Sequence, residues 1–273
     1  MDIQTISCVY FSPTGTTRTI VGNTAAGMKA GQIEMIDLTK RSQCNVYNLE
    51  KGIAIIGIPV YYGRVPEEAV SRLELLTGNK TPAVIVAVYG NRAYDDALKE
   101  LFDIATARGF IPIAAGAFIG EHSYSFSNYP IAQGRPDASD LEKARAFGNK
   151  IREKVLKFES VEKAALIDVP GNFPYVEPKT LLLIKEARKT TSYAPETDMN
   201  LCTKCGKCTE VCPTGAVSPD EPYDTDKSQC IVCQACVKIC PVAARQMNNE
   251  TFGTRRKWLY DNCRARKEPE WYL

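Results

Sequence analysis

Eight of the eleven cysteines in this chain lie between positions 202 and 240, in two runs with the same spacing. The runs CTKCGKCTEVCP and CIVCQACVKICP begin at Cys202 and Cys230, and both have the pattern C-x2-C-x2-C-x3-C-P. Three thiolates at successive three-residue steps can wrap three corners of an iron–sulfur cubane, and the fourth corner needs a thiolate from elsewhere. The proline that follows turns the chain away and removes one backbone donor. The spacing is therefore typical of a pair of [4Fe–4S] clusters.

In the bacterial version of this pattern, the fourth cysteine of each run ligates the cluster of the other run. Zinc is the alternative, because C-x2-C pairs also form tetrahedral zinc sites. Zinc units usually offer two pairs rather than two runs of four with a proline behind each, so the doubled spacing favours iron. The first cluster is expected on Cys202, Cys205, Cys208 and Cys240, and the second on Cys230, Cys233, Cys236 and Cys212.

A second candidate site lies near the N-terminus, where SPTGTT follows the apolar run IQTISCVYF. Gly15 permits a tight turn, and the start of a helix supplies backbone N–H groups without intrahelical partners. Hydroxyl donors come from Ser12, Thr14, Thr16 and Thr17. The loop is neither a lysine-containing P-loop nor a glycine-rich dinucleotide fingerprint. It predicts a site for one small anion such as phosphate, and an ordinary capped helix is the alternative.

Two later loops are expected to lie beside this one. PVYYGRVPE follows the third apolar run, and YGNRAYDD follows the fourth. In a doubly wound parallel sheet such loops meet at the carboxyl edge, where ligands bind. Aromatic and glycine residues in that position suit a flat ring that carries a phosphate tail. The residues concerned are Pro59, Tyr61, Tyr62, Gly63, Tyr89, Gly90, Asn91, Arg92 and Tyr94.

The elements that position these motifs alternate in type from residue 1 to about residue 158. Short runs rich in Ile and Val predict five buried strands, and the stretches between them carry apolar residues at helical spacing. Ser139 and Glu142 form a candidate capping box before the last long helix. The strands are IQTISCVYF, IEMIDL, GIAIIGIPV, PAVIVAVY and FIPIAAGAF. This alternation predicts an α/β fold with a doubly wound, five-stranded parallel sheet in the order 2-1-3-4-5.

The chain divides into four regions on these patterns. Residues 1–158 form the predicted α/β domain, and residues 159–195 form a connecting segment in which LLLIKEARK predicts a short helix. Residues 196–248 form the cysteine-rich unit. Residues 249–273 form a basic and aromatic tail, which is expected to brace the packing of the two domains, to dock an acidic partner such as a free ferredoxin, or to remain a solvated helix. Three isolated cysteines are expected to be core residues or bystanders rather than ligands: Cys8, Cys44 and Cys263.

On these motifs the chain resembles the flavodoxin–ferredoxin fusion family of electron-transfer proteins. SPTGTT and the two tyrosine-containing loops are similar to those of a flavodoxin, and the doubled cysteine run is similar to that of a bacterial two-cluster ferredoxin. The resemblance implies an FMN cofactor beside two [4Fe–4S] clusters. It assigns the FMN phosphate to Ser12, Thr14, Gly15, Thr16 and Thr17, and the flavin ring to the 59–63 and 89–94 loops.

The sequence departs from a typical flavodoxin in its basic residues near the expected ring, Arg64 and Arg92. Positive charge there favours an anionic reduced flavin, so a very low flavin potential is not implied. His122, the only histidine, follows the fifth predicted strand. A lone histidine in a loop is more often a hydrogen-bonded residue than a base, and proton delivery to the flavin is the alternative.

The composition excludes several classes of protein. Apolar residues make up 44% of the chain and charged residues 24%, which is the balance of a globular protein. The net charge of +2 gives no reason to expect nucleic acid or a membrane surface as a partner. The longest apolar runs are too short to cross a bilayer, and MDIQTIS has no basic region like that of a signal peptide. We therefore expect a cytoplasmic protein.

Three functions remain open at this point. The leading hypothesis is electron transfer between one-electron and two-electron redox partners, such as a free ferredoxin or a low-potential oxidoreductase. The second is an FMN-dependent iron–sulfur oxidoreductase, which reduces a small organic substrate with the clusters as electron inlet. The third is a binding module in which the clusters have only a structural role.

Overall fold

The computed structural model describes residues 3–40, 44–158, 167–176, 193–220 and 224–273. The helix predicted at LLLIKEARK lies outside these residues. The elements of the N-terminal part are β1 (Thr5–Tyr10), α1 (Thr16–Met28), β2 (Gln32–Asp37), β3 (Tyr47–Leu49), β4 (Ile53–Pro59), α2 (Glu67–Leu73), β5 (Leu76–Gly78), β6 (Thr81–Tyr89), α3 (Ala97–Ala107), β7 (Phe110–Ile119) and α4 (Ala138–Leu156). No helix of the described segments is long and apolar enough to cross a membrane.

The main sheet is built from five parallel strands in the spatial order β2-β1-β4-β6-β7. Numbered along the chain, this order is 2-1-3-4-5, the flavodoxin-like arrangement of doubly wound sheets. The central strands β4 and β6 are almost entirely buried, which explains their near-continuous Ile, Val and Ala content. The α/β fold expected from the sequence is confirmed. The short strands β3 and β5 pair with each other in a separate two-stranded sheet.

The main sheet has six strands rather than the five that the sequence predicts. A short strand from the C-terminal tail, β10 (Glu270–Tyr272), pairs antiparallel with β7. β7 would otherwise be an edge strand with unpaired backbone groups, and the added strand covers that edge. Trp271 also stacks on Phe147 of α4, with ring centroids 5.5 Å apart. The tail is therefore part of the α/β domain.

Each face of the sheet carries its own hydrophobic core. On one face, α1 and α4 pack over residues such as Ile55 and Phe118. On the other face, α2 and α3 pack over residues such as Ile56 and Ile85. The second core also includes Ile231 from the cysteine-rich unit. The two parts of the chain therefore share buried apolar surface.

The capping box of α4 lies two residues earlier than predicted. Asp137 is the N-cap and accepts a hydrogen bond from the Asp140 backbone N–H at 3.0 Å, and the Asp140 carboxylate accepts from the Asp137 N–H at 2.9 Å. The prediction that Ser139 and Glu142 form the capping box was therefore wrong. The carboxylate of Asp140 is buried in its capping position, where it also accepts a hydrogen bond from Arg135 Nε at 2.8 Å. The sequence does not reveal this tertiary ion pair.

The cysteine-rich unit repeats one backbone pattern twice. Its strands β8 (Glu196–Thr197) and β9 (Arg245–Gln246) pair antiparallel, and its helices α5 (Lys207–Val211) and α6 (Ala235–Ile239) each end just before the fourth cysteine of a run. Left-handed backbone conformations occur at equivalent positions of the two runs, namely Lys204 and Gly206 in the first and Val232 and Gln234 in the second. These turns direct each run around a cavity.

The tail begins with α7 (Glu250–Asn262) and then returns along the α/β domain to β10. The side-chain amide of Asn91 donates to the backbone oxygens of Cys263 and Ala265, at 2.6 and 2.9 Å. Arg135 donates to the Lys267 oxygen at 2.9 Å, and Arg266 pairs with Asp137 at 2.7 Å. These contacts hold the tail against the α/β domain.

Candidate functional site

The eight clustered cysteines surround two separate cavities, and each cavity combines three cysteines of one run with the fourth of the other. One cavity is lined by a group that we call set one: Cys202, Cys205, Cys208 and Cys240. The other is lined by set two: Cys212, Cys230, Cys233 and Cys236. Among the described residues, no group of three or more His, Cys, Asp or Glu converges as a single-ion site requires. The eight cysteines instead line two separate cavities, four in each.

The two sets differ in their exposure to solvent. Cys205 of set one is exposed, whereas Cys233 and Cys236 of set two are buried. Burial raises the pKa of the Cys233 and Cys236 thiols, and Arg245 opposes this shift at Cys236. The pKa of Cys205 is lowered, mainly by a hydrogen bond from the backbone of Lys207. Deprotonating the buried thiols of set two is therefore costly in the absence of a metal. Metal binding would release these protons, because the metal binds the thiolate form.

A third cavity, of about 330 Å³, lies at the carboxyl edge of the main sheet. We call it the edge cavity. Its walls come from the loops after β1, β4, β6 and β7, the position at which doubly wound sheets bind ligands. Nine of the predicted FMN contacts line it: Thr14, Thr16, Pro59, Tyr61, Tyr62, Gly63, Tyr89, Gly90 and Arg92.

The SPTGTT loop lies at the entry to α1 beside this cavity. Gly15 is the N-cap with a φ of 84°, and a Cβ there would meet no atom within 4 Å, so open space faces the loop. The backbone N–H of Ser12 donates to Thr39 Oγ1 at 2.9 Å, and its hydroxyl accepts from the Arg18 N–H at 3.1 Å. The hydroxyl of Thr17 is buried without a hydrogen-bond partner in the described part of the chain. Ser12, Gly15 and Thr17 belong to the loop but do not line the cavity itself.

Two predicted ring contacts have another role in the structure. Asn91 and Tyr94 do not line the edge cavity, because the C-terminal tail engages both. The Tyr94 hydroxyl lies 2.8 Å from that of Tyr272 and donates to Glu270 at 2.8 Å. Arg64 is also turned away, since its guanidinium forms two 2.8 Å hydrogen bonds with Glu100. Arg92 remains at the cavity and pairs with Asp95.

The loop after β7 forms a wall that the sequence indicated only through its histidine. His122 lines the cavity, and its Nδ1 accepts a hydrogen bond from the Tyr124 backbone at 3.0 Å. Burial, together with the nearby Lys238 and Arg92, lowers the pKa of His122 to about 4. The ring packs so closely on Gly90 that a Cβ at that position would clash with it. His122 is therefore a fixed, neutral imidazole whose proton is on Nε2.

The remaining wall of the edge cavity comes from the C-terminal part of the chain. Ile231 and Val232, which lie between the set-two cysteines Cys230 and Cys233, both line the cavity. From α7, the lining includes Arg255, Trp258 and Leu259. Arg255, Trp258 and Leu259 belong to no motif, and Ile231 and Val232 are only the spacer residues of the second cysteine run. All five are far from the N-terminal loops in sequence, so the sequence gives no sign that they line the cavity. The edge cavity and the set-two cavity are thus separated by a single loop.

Polar contacts hold the cysteine-rich unit in this position. Arg72 of α2 is 4% exposed and donates to the backbone oxygen of Pro213 at 2.7 Å, next to Cys212 of set two. The same guanidinium donates to the Leu38 oxygen at 2.7 Å. On the other side, Lys238 of α6 pairs with Glu121 at 2.5 Å. The set-two loop is therefore fixed against the sheet edge from two directions.

Residues 201–244 match the protein family described as a 4Fe-4S dicluster domain. No curated protein matches the sequence significantly.

Several solved flavodoxins are similar to the N-terminal part of the chain. A flavodoxin from the domain Archaea is 15% identical, covers 56% of this chain and 99% of its own, and gives a TM-score of 0.37. Oxidised flavodoxin 1 from Bacillus cereus is 17% identical, with 57% and 100% covered and a TM-score of 0.41. A flavodoxin from Streptococcus pneumoniae TIGR4 is 17% identical, with 55% and 99% covered and a TM-score of 0.39.

The strand order of the main sheet, rather than these similarities, identifies the flavodoxin-like topology. The chain joins a flavodoxin-like α/β domain to a 4Fe-4S dicluster domain, which is the architecture of a flavodoxin–ferredoxin fusion.

Proposed function

We propose that this protein carries electrons between two [4Fe–4S] clusters, held by set one and set two, and an FMN bound in the edge cavity. The proposal rests on one loop that belongs both to set two and to the wall of the edge cavity. Ile231 and Val232 belong to the loop that would wrap the second cluster, and the same two residues line the edge cavity. An electron on that cluster would be separated from the flavin by one loop of this chain.

The residues of the edge cavity fit FMN. The hydroxyls of Thr14 and Thr16, which line the cavity, and the N-terminus of α1 would provide donors for a phosphate group. The first turn of α1 contains no acidic residue that would repel it. Tyrosines and glycines at the other loops can enclose a flat ring, and the pKa of Tyr61 is raised well above its usual value by burial, so its hydroxyl keeps its proton.

The difference in burial between the two sets supports a route for electrons from the protein surface to the flavin. Set one includes the exposed Cys205, where a redox partner protein could exchange electrons, and set two shares Ile231 with the edge cavity, so its cluster would pass the electrons on to the flavin. When bound, FMN supplies two-electron as well as one-electron chemistry, and each cluster supplies one electron at a time. The protein would therefore link one-electron and two-electron partners.

The size of the edge cavity favours electron transfer over reduction of a bound substrate. Its volume of about 330 Å³ lies at the lower end of the range of roughly 300–1,000 Å³ for ligand pockets. A bound flavin ring would take up that space and would leave little for a second organic molecule. Neutral His122 would then act as a fixed hydrogen-bond donor toward the ring rather than as a charged acid.

Internal electron transfer predicts a rate that does not depend on protein concentration. Covalent linkage fixes the local concentration of the two centres. We expect stopped-flow mixing of anaerobic, oxidised holoprotein with a one-electron donor to show flavin bleaching after cluster reduction, with the same rate constant across a dilution series. Cys233→Ala, which removes a set-two ligand, should lose this phase, and Cys263→Ala, outside both sets, should retain it. A bleaching rate that increases linearly with protein concentration would contradict the proposal.

Crossed ligation predicts which cysteine variants share a spectrum. Cys240→Ala should leave the same surviving cluster signal as Cys205→Ala, since both residues line the set-one cavity. Cys212→Ala should match Cys233→Ala for the same reason in set two. Electron paramagnetic resonance of the reduced variants, with iron and sulfide quantified, distinguishes the pairs. If Cys212→Ala instead resembled Cys205→Ala, each run would ligate its own cluster and the crossed assignment would be wrong.

Phosphate binding at the SPTGTT loop predicts a selective loss of affinity. The double variant Thr14→Ala/Thr16→Ala should weaken FMN binding by about 10-fold or more but affect riboflavin little, because only FMN has the phosphate and each lost hydrogen bond to a charged group is worth about 1.5–3 kcal/mol. Titration of the flavin-free protein by fluorescence quenching measures both affinities. Thr19→Ala, on the same helix, is the matched control, since its hydroxyl donates to the Gly15 backbone oxygen. Equal weakening of both flavins would show that the loop acts only through folding.

The lowered pKa of His122 predicts a specific pH dependence. The folded-state pKa of about 4 lies below the ordinary 6.5, so unfolded chains take up a proton first as the pH falls. The stability from neutral His122 is fully present above about pH 6.5 and is lost toward pH 4. Nuclear magnetic resonance of histidine-labelled protein should show no titration between pH 7 and 5, and the urea-unfolded chain should titrate near 6.5. A midpoint near 6.5 in the folded protein would show that the imidazole is solvated and not held as described.

A further inference from the structure

Arg245 of β9 is a buried arginine that lies beside both cysteine sets. The residue is 3% exposed. Its Nη2 donates to Cys236 Sγ of set two at 3.7 Å and to Thr225 Oγ1 at 2.5 Å, and its Nη1 donates to Thr197 Oγ1 at 2.7 Å. Arg245 also lines the set-one cavity. One arginine therefore contacts set two and lines the cavity of set one.

The charge of this side chain has no carboxylate to balance it among the described residues. Its hydrogen-bond partners are two hydroxyls and a sulfur, and its Nε is buried with no partner. A buried cation is costly unless it is paired, and a buried unsatisfied donor calls for an explanation. A cluster with four thiolate ligands carries net negative charge and has sulfur acceptors. Two such clusters would supply the missing counter-charge.

The internal repeat shows that the fold itself does not require arginine at this position. Cys240 lies five residues before Arg245, and the equivalent Cys212 lies five residues before Val217. Val217 is 1% exposed and lines the set-two cavity, as Arg245 lines the set-one cavity. An apolar side chain therefore suffices beside one cluster. The arginine beside the other is an added charge rather than a packing necessity.

We infer that Arg245 is the internal counter-charge of both clusters and raises the reduction potential of each. Reduction adds one electron and makes a cluster more negative, so a nearby cation stabilises the reduced form more than the oxidised form. The hydrogen bond to Cys236 acts in the same direction, since it stabilises charge on the ligand sulfur. This inference rests on the cluster assignment proposed above. Arg245 would then adjust the reduction potentials of the clusters without being a ligand of either.

The test compares cluster potentials in holoprotein variants. Arg245→Met removes the charge and keeps much of the side-chain volume, and Arg245→Lys keeps the charge but loses the planar fork. Lys207→Met is the matched control, because Lys207 also lines the set-one cavity but is exposed to solvent. Midpoint potentials come from redox titrations followed by electron paramagnetic resonance, with iron and sulfide quantified for each variant.

We expect Arg245→Met to lower both midpoint potentials, each by at least a tenfold change in the reduction equilibrium, or about 59 mV for one electron. Arg245→Lys should give a smaller decrease, and Lys207→Met the smallest. If Arg245→Met fails to hold its clusters while Arg245→Lys holds them, the requirement for a cation is supported directly. Intact clusters with unchanged potentials in Arg245→Met, an equal decrease in Lys207→Met, or equal cluster loss in the Met and Lys variants would overturn the inference. Wild-type protein without two clusters would instead refute the proposed function.

Discussion

The packing of the Cys230–Cys233 loop against the carboxyl edge of the sheet is the contact on which the arrangement of the molecule depends. Ile231 and Val232 are 5% and 2% exposed, and they contribute to two different hydrophobic clusters. The loop that would wrap the second proposed cluster therefore also completes a cavity in the neighbouring domain. Burying these two apolar side chains stabilises the docked position by an amount on the order of a few kcal/mol, as is usual for full burial of Val or Ile.

Polar contacts at the margins of this loop make its position specific. Arg72 reaches the oxygen of Pro213, and Lys238 pairs with Glu121, which itself lines the edge cavity. Apolar packing alone is not directional, so these contacts determine the rotation of the cysteine-rich unit on the sheet. α7 covers the same cavity with Trp258 and Leu259, and the tail beyond it is fastened along β7. Two segments that are distant in sequence thus close one site.

The sequence predicted those features that depend on local spacing. The cysteine runs, the apolar strands and the SPTGTT loop each repeat a short-range pattern, because cluster ligation, strand burial and helix N-termini impose fixed spacings. It did not predict β10, since the three residues EWY become a strand only through the exposed edge of β7. The different roles of Asn91 and Tyr94 have the same origin, because the tail that engages them is about 170 residues away along the chain. Arg245 was also missed, because its role depends on two cavities that form only in the folded chain.

In the proposed arrangement the second cluster, and not the first, adjoins the flavin. Iron anomalous diffraction from crystals of the holoprotein tests this most directly, since it locates both clusters relative to the flavin density. We expect the iron peak held by set two to be the nearer of the two to the flavin, with Ile231 and Val232 between that peak and the flavin ring. An iron peak at set one nearer to the flavin, or flavin density away from the edge cavity, would contradict it.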